Sequence, residues 1–481
     1  MNLFLKKDLI SGFYWSVIGQ IGYLSIALIS NVILVRLLGT KEFGQVGIIM
    51  FFILLAKVLT ESGFSGALVR KKNATHKDFT TVFIFNLIVS LFLFLFFVFI
   101  SDYVAGFYRD PVLKDILIVL SFTLIINAFQ ITHNAKLVKN LEFKKKSIYE
   151  FISILIASIV AVILALNGAG VWSIVTMQLL TAFIMTLLLW GYEGSIGVLI
   201  FSKTSFKELF KFGVFTTLAS VLNTIFENVY QLVLGKYFSI NQTGLFYQAK
   251  KIQEIPVGII KSTTHGVVFS SLSKVQDDLN SFNNLYKKII TVFTAFVGII
   301  CVFFFFYAEN IILLLYGEKW IGAIFFIQVL IIASFFYMQE MFNRIIFKVF
   351  NQTSKIFILE IIKKTIQLIS IIIGVFFRDL EILMYGFLFT SIFSYFINYY
   401  YTSKVLGYFS WQEIILVLKI LLIGVFTVVL FFLFTKWFHI NAYATFFFLP
   451  IIILVYFGGL KIFKVVNIIM EIRTVLSLLK K

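Results

Sequence analysis

The feature that most constrains this chain is a succession of continuous apolar runs, each about 20 residues long and separated by short polar connections. A helix of that length rises through the roughly 30 Å hydrocarbon core of a bilayer. The runs do not alternate apolar with polar, so they do not read as the short strands of a barrel. Three prolines in 481 residues are too few for a disordered chain. Hydrophobic residues make up 60% and charged residues 13%, against about 45–50% and about 25% in soluble domains. That apolar content is enough for about fourteen spans. The chain is therefore expected to be all-α and polytopic in a membrane.

The runs fall near 12–35, 44–68, 79–100, 112–134, 148–167, 171–192, 212–235, 244–268, 289–308, 321–342, 356–376, 382–402, 413–435 and 442–460. The fifth and sixth are joined by a tight turn, Asn167-Gly168-Ala169-Gly170. Ile311–Leu315 is too short to span and reads as a re-entrant or interfacial piece. The apolar stretch from Leu9 to Leu38 is too long for a signal peptide, and no small-residue cleavage site interrupts it.

The net charge of +18 is distributed unevenly. Of the 41 Lys and Arg residues, 26 fall in the termini and the even-numbered connections, 8 in the odd-numbered ones and 7 inside spans. The positive-inside rule then places both termini in the cytoplasm. Scattered over eight segments, the basic residues form no nucleic-acid surface. Lys203–Lys211 and the tail after Leu460 have the spacing of amphipathic helices in a membrane interface.

Several chemistries are excluded by what the sequence lacks. It has no GxxxxGK[ST] loop for ATP, no HExxH, no GxSxG and no DxD. The single cysteine, Cys301, forms no internal disulfide, and the four histidines lie far apart. No odd-numbered connection exceeds about 15 residues, so there is no room for the external catalytic domain of a membrane polymerase. No catalytic residues, metal or cofactor are expected.

Polar residues inside the spans are the functional candidates, because charge at membrane depth is costly. Lys57 and Glu61 stand one turn apart in the second span, as a self-neutralising ion pair or as cavity-lining groups. Asn223, Glu227 and Gln231 form a stripe in the seventh, either a cavity wall or a hydrogen-bonded helix seam. Lys250, Lys251 and Glu254 precede Pro256 in the eighth; the lysines line a cavity or snorkel to the surface. Glu360, Lys363, Lys364 and Gln367 form a weaker cluster in the eleventh, near enough to its end to snorkel. Sliding the sequence by 200 residues puts Gly44 on Gly244 and Gly66 on Gly266, a faint internal repeat compatible with two related lobes.

Several stretches resemble the Wzx-type polysaccharide flippases. These are Gly12-Phe13-Tyr14-Trp15, the turn Val35-Arg36-Leu37-Leu38-Gly39-Thr40-Lys41-Glu42-Phe43-Gly44, the run from Glu61 to Lys71, Leu141-Glu142-Phe143, Gly168-Ala169-Gly170-Val171-Trp172, and the run from Phe269 to Asp278. Wzx-type proteins form the polysaccharide transport branch of the multidrug/oligosaccharidyl-lipid/polysaccharide exporter superfamily, and the likeness is to its colanic-acid-exporter type. The resemblance implies two six-helix lobes around a cavity, followed by two more helices. It divides the chain into a first lobe (1–200), a cytoplasmic interfacial linker (201–211), a second lobe (212–404), two additional spans (405–460) and an amphipathic tail (461–481). It also implies a substrate, an undecaprenyl-pyrophosphate-linked oligosaccharide, moved from the cytoplasmic to the periplasmic leaflet of the inner membrane by alternating access. Membrane lipid, a polysaccharide polymerase and other envelope assembly proteins are the partners of such a role. Coupling to H+ or Na+ is left open. Where several relatives carry Arg in the cavity this chain has Lys, which offers a point charge rather than a bidentate fork. The alternatives are an ion-coupled exporter of small molecules of the MATE kind and, further off, a membrane polysaccharide polymerase or ligase.

Overall fold

The computed structural model describes residues 3–61, 63–407 and 410–465. Each of the fourteen runs expected to span falls on helix, and no strand occurs among the described residues. The first half comprises α1 (Leu3–Leu37), α2 (Thr40–Glu61), α3 (Phe64–Arg70), α4 (His76–Tyr108), α5 (Val112–Lys139), α6 (Phe143–Leu166), α7 (Val171–Glu193) and α8 (Lys203–Val233). The second comprises α9 (Ile240–Thr263), α10 (Phe269–Ser273), α11 (Leu279–Phe306), α12 (Ala308–Leu315), α13 (Ala323–Val349), α14 (Thr353–Phe377), α15 (Leu380–Leu406), α16 (Trp411–Trp437) and α17 (Leu449–Ile462). Eleven spans are long and apolar enough to cross a membrane, and α8 makes a twelfth if its two parts, bent by 53°, are one span. The two expected spans outside that set are α9 and α14, which have the length but carry the intramembrane charges. The tail expected to be amphipathic lies outside the described residues beyond Val465.

The chain gathers into two compact units, Met1–Gly244 and Leu245–Lys481. In the first, α4 and α5 form an antiparallel hairpin. Its turn is fixed by Asp110, whose carboxylate accepts from the Val112 amide (3.1 Å) and from Gln45 Nε2 on α2 (2.7 Å). The α6–α7 hairpin turns through Gly168 and Gly170, both at positive φ, as the Gly-rich sequence predicts. Gln130 on α5 donates to the Ala182 carbonyl and Thr186 of α7. Between lipid-facing helices apolar burial gives little net drive, so close approach of small residues matters more. Accordingly Gly19 of α1 lies against Ser147 of α6. The tightest crossing is reciprocal. A Cβ on Gly44 would sit 1.9 Å from the Ile240 carbonyl oxygen, and one on Gly244 would sit 1.8 Å from that of Thr40. The 200-residue offset of the faint repeat thus maps each side of this contact onto the other.

The segment Lys203–Lys211, expected to lay its apolar side in the interface, turns that side inward. Leu209 is 3% exposed and clusters with Phe64, Leu68, Val82 and Ala135, with Phe206 packed beside them. The helix end is clamped by Lys71, whose ammonium reaches both Asp78 (3.0 Å) and Glu208 (2.8 Å). The hydrogen bond to Glu208 raises the Lys71 pKa above its ordinary value.

In the second unit α13 is the central helix, packed by α11, α14 and α15. Thr294 donates to Gln339 (2.9 Å) and Gln253 to Ser334 (2.6 Å), a polar seam along α13. Ile311–Leu315 belongs to the short helix α12, held by Asn310 donating to Thr445 Oγ1 (2.6 Å) and Tyr307 to the Thr445 carbonyl (3.0 Å). Tyr456 of α17 donates to the Ala295 carbonyl (3.0 Å) across Gly298.

Replacing Gly44 or Gly244 by Ala should force the α2–α9 crossing apart. We expect each to destabilise the protein by about 1–3 kcal/mol and to lower its thermal midpoint in detergent. Gly66→Ala, whose Cβ would meet nothing within 4 Å, is the matched control. Identical melting of all three variants would show that the crossing is not close-packed.

Candidate functional site

On α2 the side chains of Phe43, Val46, Ile48, Ile49, Ile53 and Ala56 face the protein and are buried. Lys57 and Glu61 stand off that face. Their ammonium and carboxylate are 3.9 Å apart, with side chains 50% and 49% exposed. The pair is thus self-paired and half-exposed. Lys57 lies one turn before α2 ends, 17 residues from Thr40 and 13 from Arg70, and so near the middle of the apolar span Thr40–Arg70. An exposed pair at this separation contributes at most about 1 kcal/mol to stability.

On α8, which packs beside α2, the expected stripe divides. Asn223 and Glu227 are exposed. Gln231 is 2% exposed, and its carbonyl accepts from Thr243. The last turn of α8 is drawn into the packing by the turn of π-helix that follows, Leu234–Phe238, where Gly235 lies against Ile48 and Tyr108. Asn228, flanking the stripe, is buried and donates to the Thr224 carbonyl. The structure thus leaves Glu227 and Asn223 on an open face and makes Gln231 part of the seam.

On α9, Lys250 and Glu254 pair at 3.9 Å, the lysine side chain 19% exposed and the carboxylate 59%. The Lys251 ammonium sits 4.7 Å from the Tyr247 ring centroid, a cation–π contact. Pro256 lies inside the helix one turn on. Each lysine has a partner on its own helix, Glu254 for Lys250 and the Tyr247 ring for Lys251.

A four-residue cluster of charges lies on α13 and α14, and two of its members escape sequence reasoning. The Glu340 carboxylate is 2% exposed and accepts from Lys363 at 2.9 Å. Arg344 lies 2.6 Å from Glu360 and 3.8 Å from Glu340, and Lys363 also reaches Glu360 at 3.2 Å. Glu360 and Lys363, whose position allowed snorkelling, instead close a neutral four-residue network with a neighbouring helix. Arg344 had been placed in a connection because the apolar run ends at 342, but α13 continues to Val349. The available signal was the i, i+4 spacing of Glu340 and Arg344 at the end of that run.

The family comparison bears on this arrangement. A family model described as polysaccharide biosynthesis protein matches residues 33–325. The chain belongs to that family. The matched region holds all eight candidate residues and stops short of the α13–α14 network. Among curated members, lipopolysaccharide biosynthesis protein WzxC of Escherichia coli K12 is 25% identical over 342 residues, 69% of this chain and 68% of WzxC. Succinoglycan biosynthesis transport protein ExoT of Rhizobium meliloti is 22% identical over 309 residues, 64% of this chain and 63% of ExoT. The Wzx-type resemblance read from the sequence agrees with this membership. Among solved structures, lipid II flippase MurJ in an inward closed conformation superposes with a TM-score of 0.72 at 19% identity, covering 93% of this chain and 98% of MurJ. An inward-facing MATE family multidrug resistance transporter of the same superfamily gives 0.61 at 15% identity, covering 80% of this chain and 98% of the transporter. At these identities the likeness is one of fold.

The α13–α14 network yields a stability prediction for this family member. Lys363→Ala leaves Glu340 buried with only a distant cation and should cost about 3–5 kcal/mol. Adding Glu340→Gln should recover part of that loss. Thermal midpoints of the single and double variants, read as a double-mutant cycle, check the coupling; additive losses would dissolve the network.

Proposed function

We propose that this protein moves an undecaprenyl-pyrophosphate-linked oligosaccharide repeat unit from the cytoplasmic to the periplasmic leaflet of the inner membrane, for O-antigen, capsule or exopolysaccharide synthesis. It does so by alternating access, as a transporter rather than an enzyme, with both termini cytoplasmic. The observation that carries this reading is the half-exposed Lys57–Glu61 pair near the middle of the span Thr40–Arg70, in a chain of the polysaccharide biosynthesis family. A lysine facing hydrocarbon at the centre of a span costs about 2.5–3.5 kcal/mol on insertion scales. The open faces of α2 and α8 therefore look onto water rather than lipid.

A hydrated cation at that depth suits the head group of the proposed substrate. A pyrophosphate carries about two negative charges and must cross roughly 30 Å of hydrocarbon. Lys57 supplies a point charge to a phosphoryl oxygen, and Glu61 neutralises that charge when the site is empty. On α9, Lys250 is held in the same way by Glu254. Glu227, exposed on α8, is the candidate for exchanging the coupling H+ or Na+. The names of the relatives support the substrate class: one serves lipopolysaccharide biosynthesis, another succinoglycan transport, and the structurally similar flippase acts on lipid II. A polysaccharide polymerase would then take up the exported unit.

In a deletion strain, Lys57→Ala should lose most surface polysaccharide at unchanged membrane abundance, and Lys57→Arg should keep much of it. Lys57→Glu should be worse than Ala, since it repels the head group and strands Glu61 beside a second anion. The lipid-linked repeat unit should accumulate on the cytoplasmic side in step with the loss. Normal export by Lys57→Glu would remove Lys57 from the substrate path.

A further inference from the structure

The connection between α7 and α8 carries an apolar surface with no role in the transport path. Its backbone is tied down along its length. His133 Nε2 meets the Gly194 carbonyl at 3.0 Å and His76 Nε2 that of Ile196 at 2.5 Å. Thr80 donates to the Ile200 carbonyl (2.7 Å), and the Ser202 amide donates to Thr81 (2.9 Å). Gly194 and Gly197 take positive φ, which lets the strand follow the ends of α4 and α5. Yet its central side chains are largely uncovered, Phe201 alone lying beside a core-packed ring, that of Phe206. Val198 is 74% exposed, Leu199 56%, Ile200 39% and Phe201 46%.

Four consecutive exposed apolar residues on a fixed backbone are unfavourable in water unless something covers them. Two facts say what does. The segment begins where the spanning helix α7 ends, at Glu193, so it lies at the level of the lipid head groups. It is also flanked by exposed lysines, Lys77 beside its anchor His76, then Lys203 and Lys207 on the following turns. Lysines around an apolar wedge match an anionic lipid surface, where each cation adds attraction and the wedge enters the acyl boundary. The lysine-bearing helix cannot supply the wedge itself, because Phe206 and Leu209 are spent on the protein core.

We propose that Val198–Phe201 is a fixed membrane anchor, inserted into the lysine-rich leaflet and held there by anionic phospholipid contacting Lys77 and Lys203. Because the strap is bonded to α4 and α5, it attaches the first unit to that leaflet rather than serving as a loose linker. The inference does not depend on which molecule is transported.

The test uses the full-length protein with Cys301→Ser as background and nitroxide labels at Val198→Cys, Leu199→Cys and, as a water-facing reference, Lys207→Cys. In vesicles of phosphatidylcholine with phosphatidylglycerol, labels at 198 and 199 should collide several-fold more with oxygen than with an aqueous nickel chelate, and the label at 207 the reverse. Removing phosphatidylglycerol, or replacing Lys77 and Lys203 by Gln, should shift the label at 199 toward water several-fold. Labels at 198 and 199 as accessible to nickel as the one at 207 would overturn the anchor and leave a surface for a soluble partner. Insensitivity to both lipid charge and the lysine substitutions would overturn the anionic-lipid assignment. Size-exclusion profiles matching the Cys301→Ser parent establish that each variant is folded.

Discussion

A charge inside a hydrocarbon slab must be paired within the protein or reached by water, and the organisation of this molecule follows from that constraint. The two units use the two solutions. In the second, Glu340, Arg344, Glu360 and Lys363 neutralise one another, with Glu340 almost fully enclosed. Such a network contributes fit between α13 and α14 more than net stability, because desolvation offsets much of its attraction. In the first, Lys57, Glu61, Asn223 and Glu227 remain on open helix faces. The half-exposed Lys57–Glu61 pairing at 3.9 Å is too loose to explain its presence by stability, which is why the transport reading rests on it.

The same scarcity of apolar driving force shapes the packing. Among lipid-solvated helices, contact comes from close approach and from polar seams. The Gly44–Gly244 crossing brings backbones nearly into contact, and Gly298 lets the Tyr456 side chain lie directly over its helix. Gln130, Gln253 and Thr294 supply the hydrogen bonds between helices. Buried phenylalanines fill part of what remains, while others such as Phe92 and Phe99 stay exposed. Many pair edge to face, as Phe83 does with Phe129 and Phe293 with Phe342.

On the lysine-rich side, polar chemistry replaces packing. Lys71 bridges Asp78 and Glu208, and Lys139 donates to the carbonyls of Leu68 and Lys71. Together they fix the ends of α3, α4, α5 and α8 relative to one another. With the strap from Gly194 to Ser202, they turn an apparent linker into part of the first unit.

The sequence by itself determined that the chain is helical and membrane-spanning, and where its fourteen apolar runs lie, because length and hydropathy are local properties along one helix. It also exposed the pairs Lys57–Glu61 and Lys250–Glu254, since residues four apart share a helix face whatever surrounds them. Only the tertiary structure decided which faces are covered. Glu227 and Gln231 have the same spacing and polarity, yet one is open and the other buried, because the π-helical turn after α8 brings its last turn against α2. The apolar side of Lys203–Lys211 could have met lipid or protein with equal ease, and the position of Phe64 and Val82 settled it. Arg344 and Glu340 looked like the end of a span and its connection until α14 placed Glu360 and Lys363 opposite them. Pairing between helices depends on their relative rotation and depth, and no periodicity within a single helix encodes either.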